Sequence, residues 1–394
     1  MFGDKNKCST VFEIREIQFV IESAKDYPIV IDCGLREQLG IKLRSVIDEG
    51  RNLVVVTDDG VPCVIVEQVL ESLANAGWGD VETIVFPAGE PSKSIETFRQ
   101  ITTRLIELGV DRRSVLVALG GGVVSDTAGY VAASFMRGID YVVLPTTVIG
   151  QLDAAVGGKV AVNHPSGKNL IGAFWHPLAV LIDPVFLRTL PLVEVRNGLA
   201  EALKVAIIGS PELFDFLEKH SQALATKNPD IDGMAEVIDL AVVKKVQLLL
   251  PDPFENDLRR VLNLGHTFAH ALETRGAYSL RHGFAVAIGI ALATRISLNR
   301  RAIKSRDADR IFNVLRMLGL PTGGINIDPA ELWRHTHVIR RIRGNSLNYV
   351  LPTSSNSVEI VNDLGFEEFA EAFLSLEPDT DVFQQAYLSV VTPG

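Results

Sequence analysis

The chain has 394 residues, 47% hydrophobic and 22% charged, which excludes a disordered, collagen-like or coiled-coil protein and leaves room for two domains. Lys and Arg number 38 against 48 Asp and Glu, a net charge of -10, so no broad positive field would draw nucleic acid or an anionic membrane. The three cysteines (Cys8, Cys33, Cys63) lack CxxC spacing, and the N-terminus MFGDKNKCST lacks an apolar signal core, so a reducing, cytoplasmic setting is expected without disulfide framework or thiolate metal site.

In chain order, Tyr27 to Cys33, Asn52 to Thr57, Val81 to Phe86, Ser114 to Leu119 and Tyr141 to Leu144 read as short buried strands. Between them lie helix-like stretches, such as Ile95 to Leu108. This alternation predicts a parallel, Rossmann-like sheet covered on both faces. From about residue 190 the pattern changes to helix after helix: Val193 to Ile208, Pro211 to Leu224, Ile231 to Leu250, Val261 to Thr274, Gly283 to Asn299 and Ala308 to Leu318. The change places a boundary between an α/β domain, 1–190, and a mainly helical domain, 191–394. A hairpin over Ser346 to Asp363 and a helix over Glu367 to Leu376 close the chain. No apolar run approaches the roughly eighteen residues that span a bilayer.

The chemistry gathers in a few stretches. Gly120-Gly121-Gly122 follows a strand and opens a helix, where bare backbone and free N–H groups can meet a phosphate. Taken alone it is equally a tight turn. Two further glycine turns, Gly157-Gly158-Lys159 and Gly167-Lys168-Asn169, add lysines close to Asp153 and Asn163, and together they favour an anionic small substrate. His266 and His270 share a helix face at i, i+4 in NLGHTFAHALE, and His282 stands at a helix start. With Glu201, three residues before Lys204, these imidazoles could hold zinc or a similar divalent ion. Each histidine singly would pass for a core residue, and Glu-x-x-Lys for a surface pair. Lys245, Arg259, Arg260, Arg340, Arg341 and Arg343 are either a solvated basic face or ligands for phosphate or carboxylate.

The run GGGVVSDTAGY, then RGIDYVVLPTTVIGQLDAAVGGKVAVNHPSGKNLIGAF, GLAEALK and NLGHTFAHALE resembles the 3-dehydroquinate synthase family of sugar phosphate cyclases, from about Val54 to Gly283 and more weakly to the end. The resemblance implies an N-terminal nucleotide-binding domain, a helical C-terminal domain, NAD as a catalyst restored each turnover, and zinc, for which cobalt can substitute. It implies a homodimer acting on a phosphorylated sugar. A hydroxyl of a heptulose phosphate would be oxidised, phosphate eliminated, the ketone reduced, and a carbocycle closed by an intramolecular aldol step. By this resemblance Glu201, His266 and His282 hold the metal. His270 moves protons, with Asp153, Lys204 and Asn263 orienting hydroxyls. Lys159, Asn169 and Arg137, the last from a neighbouring subunit, bind phosphate. Asp58, Glu90, Lys93, Gly121, Asp126, Thr146, Thr147, Lys168 and Thr189 bind NAD.

The chain departs from the family at three places. Phe284 replaces the acidic residue after the third histidine, TDDG at Thr57 to Gly60 lacks the expected asparagine, and VIRRIRG replaces an Asp-Lys-Lys run, so Arg340 stands in for a phosphate-binding lysine. The ending VEIVNDLGFEEF also resembles cyclases that make seven-carbon cyclitols from sedoheptulose 7-phosphate, such as 2-epi-5-epi-valiolone synthase. Lys245 and Arg259 align with the pair that grips the substrate carboxylate in dehydroquinate synthases, and burying two cations against a neutral group is costly. That argument, with NLGHTF where cyclitol synthases typically read DYGHTF, puts a 3-dehydroquinate synthase-type reaction first and cyclitol synthesis second. A metal-dependent polyol dehydrogenase, which would accumulate NADH, and a binding protein without turnover are the remote alternatives.

Overall fold

The computed structural model describes residues 26–165, 167–257, 260–275, 280–323, 327–342 and 347–376. In its first part strands and helices alternate: β1 (Ile29–Ile31), α1 (Leu39–Arg44), β2 (Leu53–Asp58), α2 (Cys63–Asn75), β3 (Glu82–Phe86), α3 (Ile95–Glu107), β4 (Val115–Gly120), α4 (Gly122–Ser134) and β5 (Asp140–Pro145). A hairpin, β6 (Lys159–His164) and β7 (Gly167–Phe174), follows, and then β8 (Val180–Ile182). Six of these strands form one parallel sheet in the order β1-β8-β5-β4-β2-β3. β2 and β4 are buried throughout because helices cover both faces. Alternate residues serve opposite cores: Val55 and Val117 face one, Val54, Val56, Leu116 and Ala118 the other. The winding reverses between β2 and β4, so their carboxyl ends open a crevice suited to a ligand.

From Leu192 the chain is mainly helical: α5 (Leu192–Gly209), α6 (Pro211–Leu224), α7 (Ile231–Leu249), α8 (His266–Arg275), α9 (His282–Asn299), α10 (Ser305–Met317) and α11 (Pro329–Ile342). An antiparallel hairpin, β9 (Tyr349–Ser354) and β10 (Ser357–Val361), and α12 (Phe366–Leu374) complete it. The expected hairpin is there, shorter at both ends than read, and the final helix starts one residue earlier and ends two earlier. α9 is long and apolar enough to cross a membrane by length and composition, and 78% of that window is buried inside the fold. It is the helix against which α5, α8, α10 and α12 pack. One apolar core runs unbroken from the sheet through these helices to Phe369 and Phe373.

Two expectations need correction. The continuous helix over Val261 to Thr274 is broken: a 3-10 turn, Val261–Asn263, ends before α8 starts at His266. Gly265 between them is left-handed at φ 76, and a Cβ there would lie 2.8 Å from the Val286 carbonyl oxygen. The periodicity survives the break, but the direction changes. The glycine turns around Lys159 and Lys168 are also more than turns, being the ends of β6 and β7. The Gly-Lys pairs that open each strand, read as turns, hid KVAVNH and GKNLIGAF.

Candidate active site

α5 carries Glu201 and Lys204 on one buried face, as their spacing requires. The Lys204 Nζ lies 2.5 Å from Glu201 Oε2. Burial opposes ionisation of Glu201, yet Lys204 and the two facing imidazoles hold its carboxyl well below the usual range. His266, the first residue of α8, points Nε2 to within 3.7 Å of Glu201 Oε1, and His282, the first of α9, brings Nε2 to 3.2 Å. The outer nitrogens have their own partners. His266 Nδ1 is 3.2 Å from the Leu264 carbonyl oxygen, and His282 Nδ1 is 3.3 Å from Glu273 Oε1. His266 stays neutral, its pKa pushed down to about 4 by burial and by Lys204, so with Nδ1 donating its Nε2 lone pair faces inward. Burial opposes charge on His282 too, but Glu273 and Glu201 raise its pKa to about 10, so a metal ion would bind at Nε2 by displacing a proton there.

The ligand atoms of Glu201, His266 and His282 lie within 4.8 Å of one another. Among the described residues neither buried Glu201 oxygen has a hydrogen bond of good geometry, only the close approaches of Lys204 and His282. A buried carboxylate oxygen and two imidazole Nε2 atoms converging in this way fit a tetrahedral divalent ion with one position open. Buried Phe284 takes no part; the carboxylate beside His282 comes from Glu273 instead.

The start of α9 is fixed tightly against α5. Gly283 N–H donates to Asn197 Oδ1 at 2.8 Å, and Asn197 Nδ2 donates to Glu194 Oε2 at 3.0 Å. Arg281 Nε donates to Glu194 Oε1 at 2.8 Å. This clasp sets where His282 stands.

Beside the three ligands lies a charged cluster. Lys245 Nζ is 2.8 Å from Asp153 Oδ1 and also donates to the Asp153 carbonyl. Burial opposes the charge on Asp153, but Lys245 and Lys204 bring its pKa down to about 2. Lys159 and Arg260 both contact Glu255 on the loop after α7. The Lys159 side chain stays 53% exposed; even so, partial burial of its ammonium and the cations of Lys245 and Arg260 push it down to about 7. His270 stacks edge-on against His266 with ring centroids 5.5 Å apart, and Asn263 ends the 3-10 turn before it. Arg259 lies outside the described residues. Arg340 lies near the end of α11, and its side chain is likewise outside them. Arg137 is solvent-exposed with left-handed backbone, φ 68, next to Met136 at φ 50.

Of the residues expected to meet a dinucleotide, Asp58, Gly121, Thr146 and Thr147 stand at or just beyond the carboxyl ends of β2, β4 and β5. Asp58 ends β2 and accepts from Gly60 N–H at 3.1 Å. Gly121 caps α4, and a Cβ there would come within 3.0 Å of the Thr147 methyl. Thr146 N–H donates to the Gly120 carbonyl at 2.9 Å, and Thr147 Oγ1 accepts from Gly150 N–H at 3.0 Å. Buried Lys93 contacts Asp126 and the Asn169 side chain. Asn169 N–H in turn donates to Asn163 Oδ1 at 3.0 Å. Lys168 Nζ lies 2.8 Å from Glu273 Oε1 and 3.7 Å from Glu90 Oε1. Thr189 Oγ1 donates to the Phe186 carbonyl at 2.9 Å at the end of a 3-10 turn. The hairpin register puts Lys159 and Asn169 near opposite ends, the first with Glu255 and the second with Lys93. The bare backbone at Gly121 and the free end of thirteen-residue α4 fit a pyrophosphate.

Sequence reading missed Glu255 and Glu273. Nothing in their local pattern separates them from surface acids; only the fold brings them to Lys159, Lys168 and His282.

Comparison with known proteins shows the family and the fold. Residues 83–197 match the family model for the 3-dehydroquinate synthase N-terminal region, and 198–339 the model for its C-terminal region. A 2-epi-valiolone synthase of Stigmatella aurantiaca (strain DW4/3-1) is 44% identical over 86% of this chain and 85% of its own length. A 3-dehydroquinate synthase of Desulforamulus reducens (strain ATCC BAA-1160 / DSM 100696 / MI-1) is 38% identical over 86% of this chain and 94% of its own. Among solved structures, a 2-epi-5-epi-valiolone synthase from Streptomyces hygroscopicus subsp. jinggangensis 5008, with NAD+ and Zn2+ bound, superposes with a TM-score of 0.84. It is 31% identical and covers 91% of this chain and 98% of its own.

Proposed function

Since the chain belongs to the 3-dehydroquinate synthase family, we propose that it is an NAD- and zinc-dependent sugar phosphate cyclase that turns a heptulose(onate) 7-phosphate into a carbocycle with loss of phosphate, formally a carbon-oxygen lyase. One observation carries this reading: two Nε2 atoms and a buried carboxylate converge beside a cationic cluster, within a fold that also offers a dinucleotide crevice. Bound there by Glu201, His266 and His282, zinc would polarise a substrate hydroxyl, and NAD in the crevice would accept and return hydride.

The chain's own residues do the rest. Lys159 and Arg260 face the substrate phosphate once Glu255 gives way, and Lys245 with Asp153 offers a donor and an acceptor to its hydroxyls. Lys204, neutralised by Glu201, donates without adding net charge to the pocket. His270, one turn beyond His266, can take a proton from substrate carbon or pass one to the leaving phosphate. Arg137 would complete the phosphate site of a second copy, in a cytoplasmic homodimer.

Within this class we place sedoheptulose 7-phosphate first and 3-deoxy-D-arabino-heptulosonate 7-phosphate second. The Lys245 ammonium already has the Asp153 carboxylate as counter-ion, so it does not require a carboxylated substrate. The 44% identity to a 2-epi-valiolone synthase points the same way. The test is phosphate release and product mass with each sugar in the presence of NAD and zinc. Release from sedoheptulose 7-phosphate alone supports cyclitol synthesis; release from the carboxylated sugar alone makes this a 3-dehydroquinate synthase. Stoichiometric NADH without phosphate would instead mark a dehydrogenase.

The pH profile follows from Lys159. A sugar phosphate becomes a dianion near pH 6, while the Lys159 ammonium loses its proton near 7. A group whose pKa is lowered is charged only below the new value, so kcat/KM is expected to fall about tenfold per pH unit above it. Lys159→Arg should move that falling limb to higher pH. An unchanged limb in the variant would exclude Lys159 as its source.

A further inference from the structure

Glu273 lies where the two halves of the site meet. It is buried at 1% exposure on α8, and one oxygen, Oε1, faces both His282 Nδ1 at 3.3 Å and Lys168 Nζ at 2.8 Å. His282 continues inward to Glu201, with Nε2 at 3.2 Å from Oε1. Lys168, on the exposed hairpin strand β7, continues the other way, to Glu90 at 3.7 Å, which accepts from Asn163 Nδ2 at 2.8 Å. The line of contacts therefore runs from the crevice residues Asn163 and Glu90, through Lys168 and Glu273, to two metal-ligand candidates.

We propose that Glu273 is a positioning residue with two tasks: it fixes the His282 ring with Nε2 toward the metal, and through Lys168 it couples metal occupancy to dinucleotide occupancy. This rests on the reading of Glu201, His266 and His282 as a zinc site and of Lys168 as a dinucleotide contact. The physical basis is shared ordering. A carboxylate held by a ring that a metal has fixed is a better anchor for Lys168, so the lysine is ordered before NAD arrives. By linkage, NAD must then strengthen zinc by the same factor that zinc strengthens NAD. The Glu273 Oε2 atom has no hydrogen-bond partner among the described residues, so Oε1 carries both contacts, and moving one moves the other.

The test uses the full-length protein and measures zinc affinity by competition with a chromophoric chelator, with and without NAD. NAD affinity is measured with and without zinc. In the wild type the two affinities should rise together, about tenfold. Glu273→Gln should weaken zinc by about 10- to 100-fold without NAD, and bring the coupling factor close to one. Lys168→Met should remove the coupling while weakening zinc without NAD less than Glu273→Gln does, and it carries the test if Glu273→Gln fails to fold. Wild-type coupling retained in either variant, or no coupling in the wild type, overturns the proposal. His266→Ala separates the two levels. If it binds zinc like the wild type, the metal reading itself fails. If it loses zinc while Glu273→Gln keeps both zinc affinity and coupling, only the role of Glu273 fails.

Discussion

Glu201→Gln should strip the protein of zinc, lower kcat/KM by about 1,000-fold or more, and destabilise the fold by about 3 kcal/mol. The catalytic part follows from the loss of the only carboxylate in the described ligand group. The stability part has a separate cause. Lys204 is 3% exposed and depends on Glu201 for its counter-charge at 2.5 Å, although Asp153 helps to hold its pKa up. Removing the anion leaves a buried ammonium poorly compensated, and that costs more than the pair contributes. The double variant Glu201→Gln with Lys204→Met should therefore regain most of the lost stability and none of the activity. Urea unfolding with metal content on the same samples decides it. A single variant as stable as the wild type would show that Lys204 does not lean on Glu201.

Gly283→Ala should be nearly as damaging with no change in charge. A Cβ at this position would lie 1.8 Å from the Asn197 carbonyl oxygen and 2.9 Å from its Oδ1. Backbone cannot yield as a flexible side chain can, so the start of α9 must move off α5 by roughly 1 Å or more. Overpacking of this kind costs about 1–3 kcal/mol. The displacement also falls on His282, one residue away, and separates it from Glu201 across the two helices. A misplacement of about 1 Å can cost 100-fold in rate. Gly365→Ala is the control, since its Cβ would meet nothing nearer than 3.9 Å. Equal melting temperatures for the two variants would disprove the close contact.

Much of this was legible in the sequence. Runs such as LVVVTD and VLVALG are apolar on both sides because helices cover both faces of a parallel sheet, and this marks strand and architecture together. Glu201, His266 and His282 could be picked out because the chemistry needs those side chains and the surrounding motif is specific. Their convergence could not, since it depends on α5, α8 and α9 meeting. Val261 to Thr274 kept helical periodicity across a left-handed glycine, and periodicity does not report a change of direction. Glu255 and Glu273 carried no signal, because a lone acid in a loop or helix reads as solvated until a distant cation or imidazole is set against it. Lys245 reads in sequence as a cation awaiting a substrate carboxylate for the same reason: the partner that neutralises it, Asp153, is 92 residues away.

The contrast between α9 and the β6–β7 hairpin sets where this protein can open. α9 is almost wholly buried, and α5 beside it likewise, so their amides should exchange with solvent only on global unfolding. β7, by contrast, has no buried residue: five of its eight positions are exposed and three are half-buried. Glu201 and His282 thus stand on the slowest-exchanging elements, and Lys168 and Asn169 on one of the fastest. Deuterium should enter the hairpin long before the two helices, and small molecules should enter and leave past the hairpin while the ligand-bearing helices stay shut.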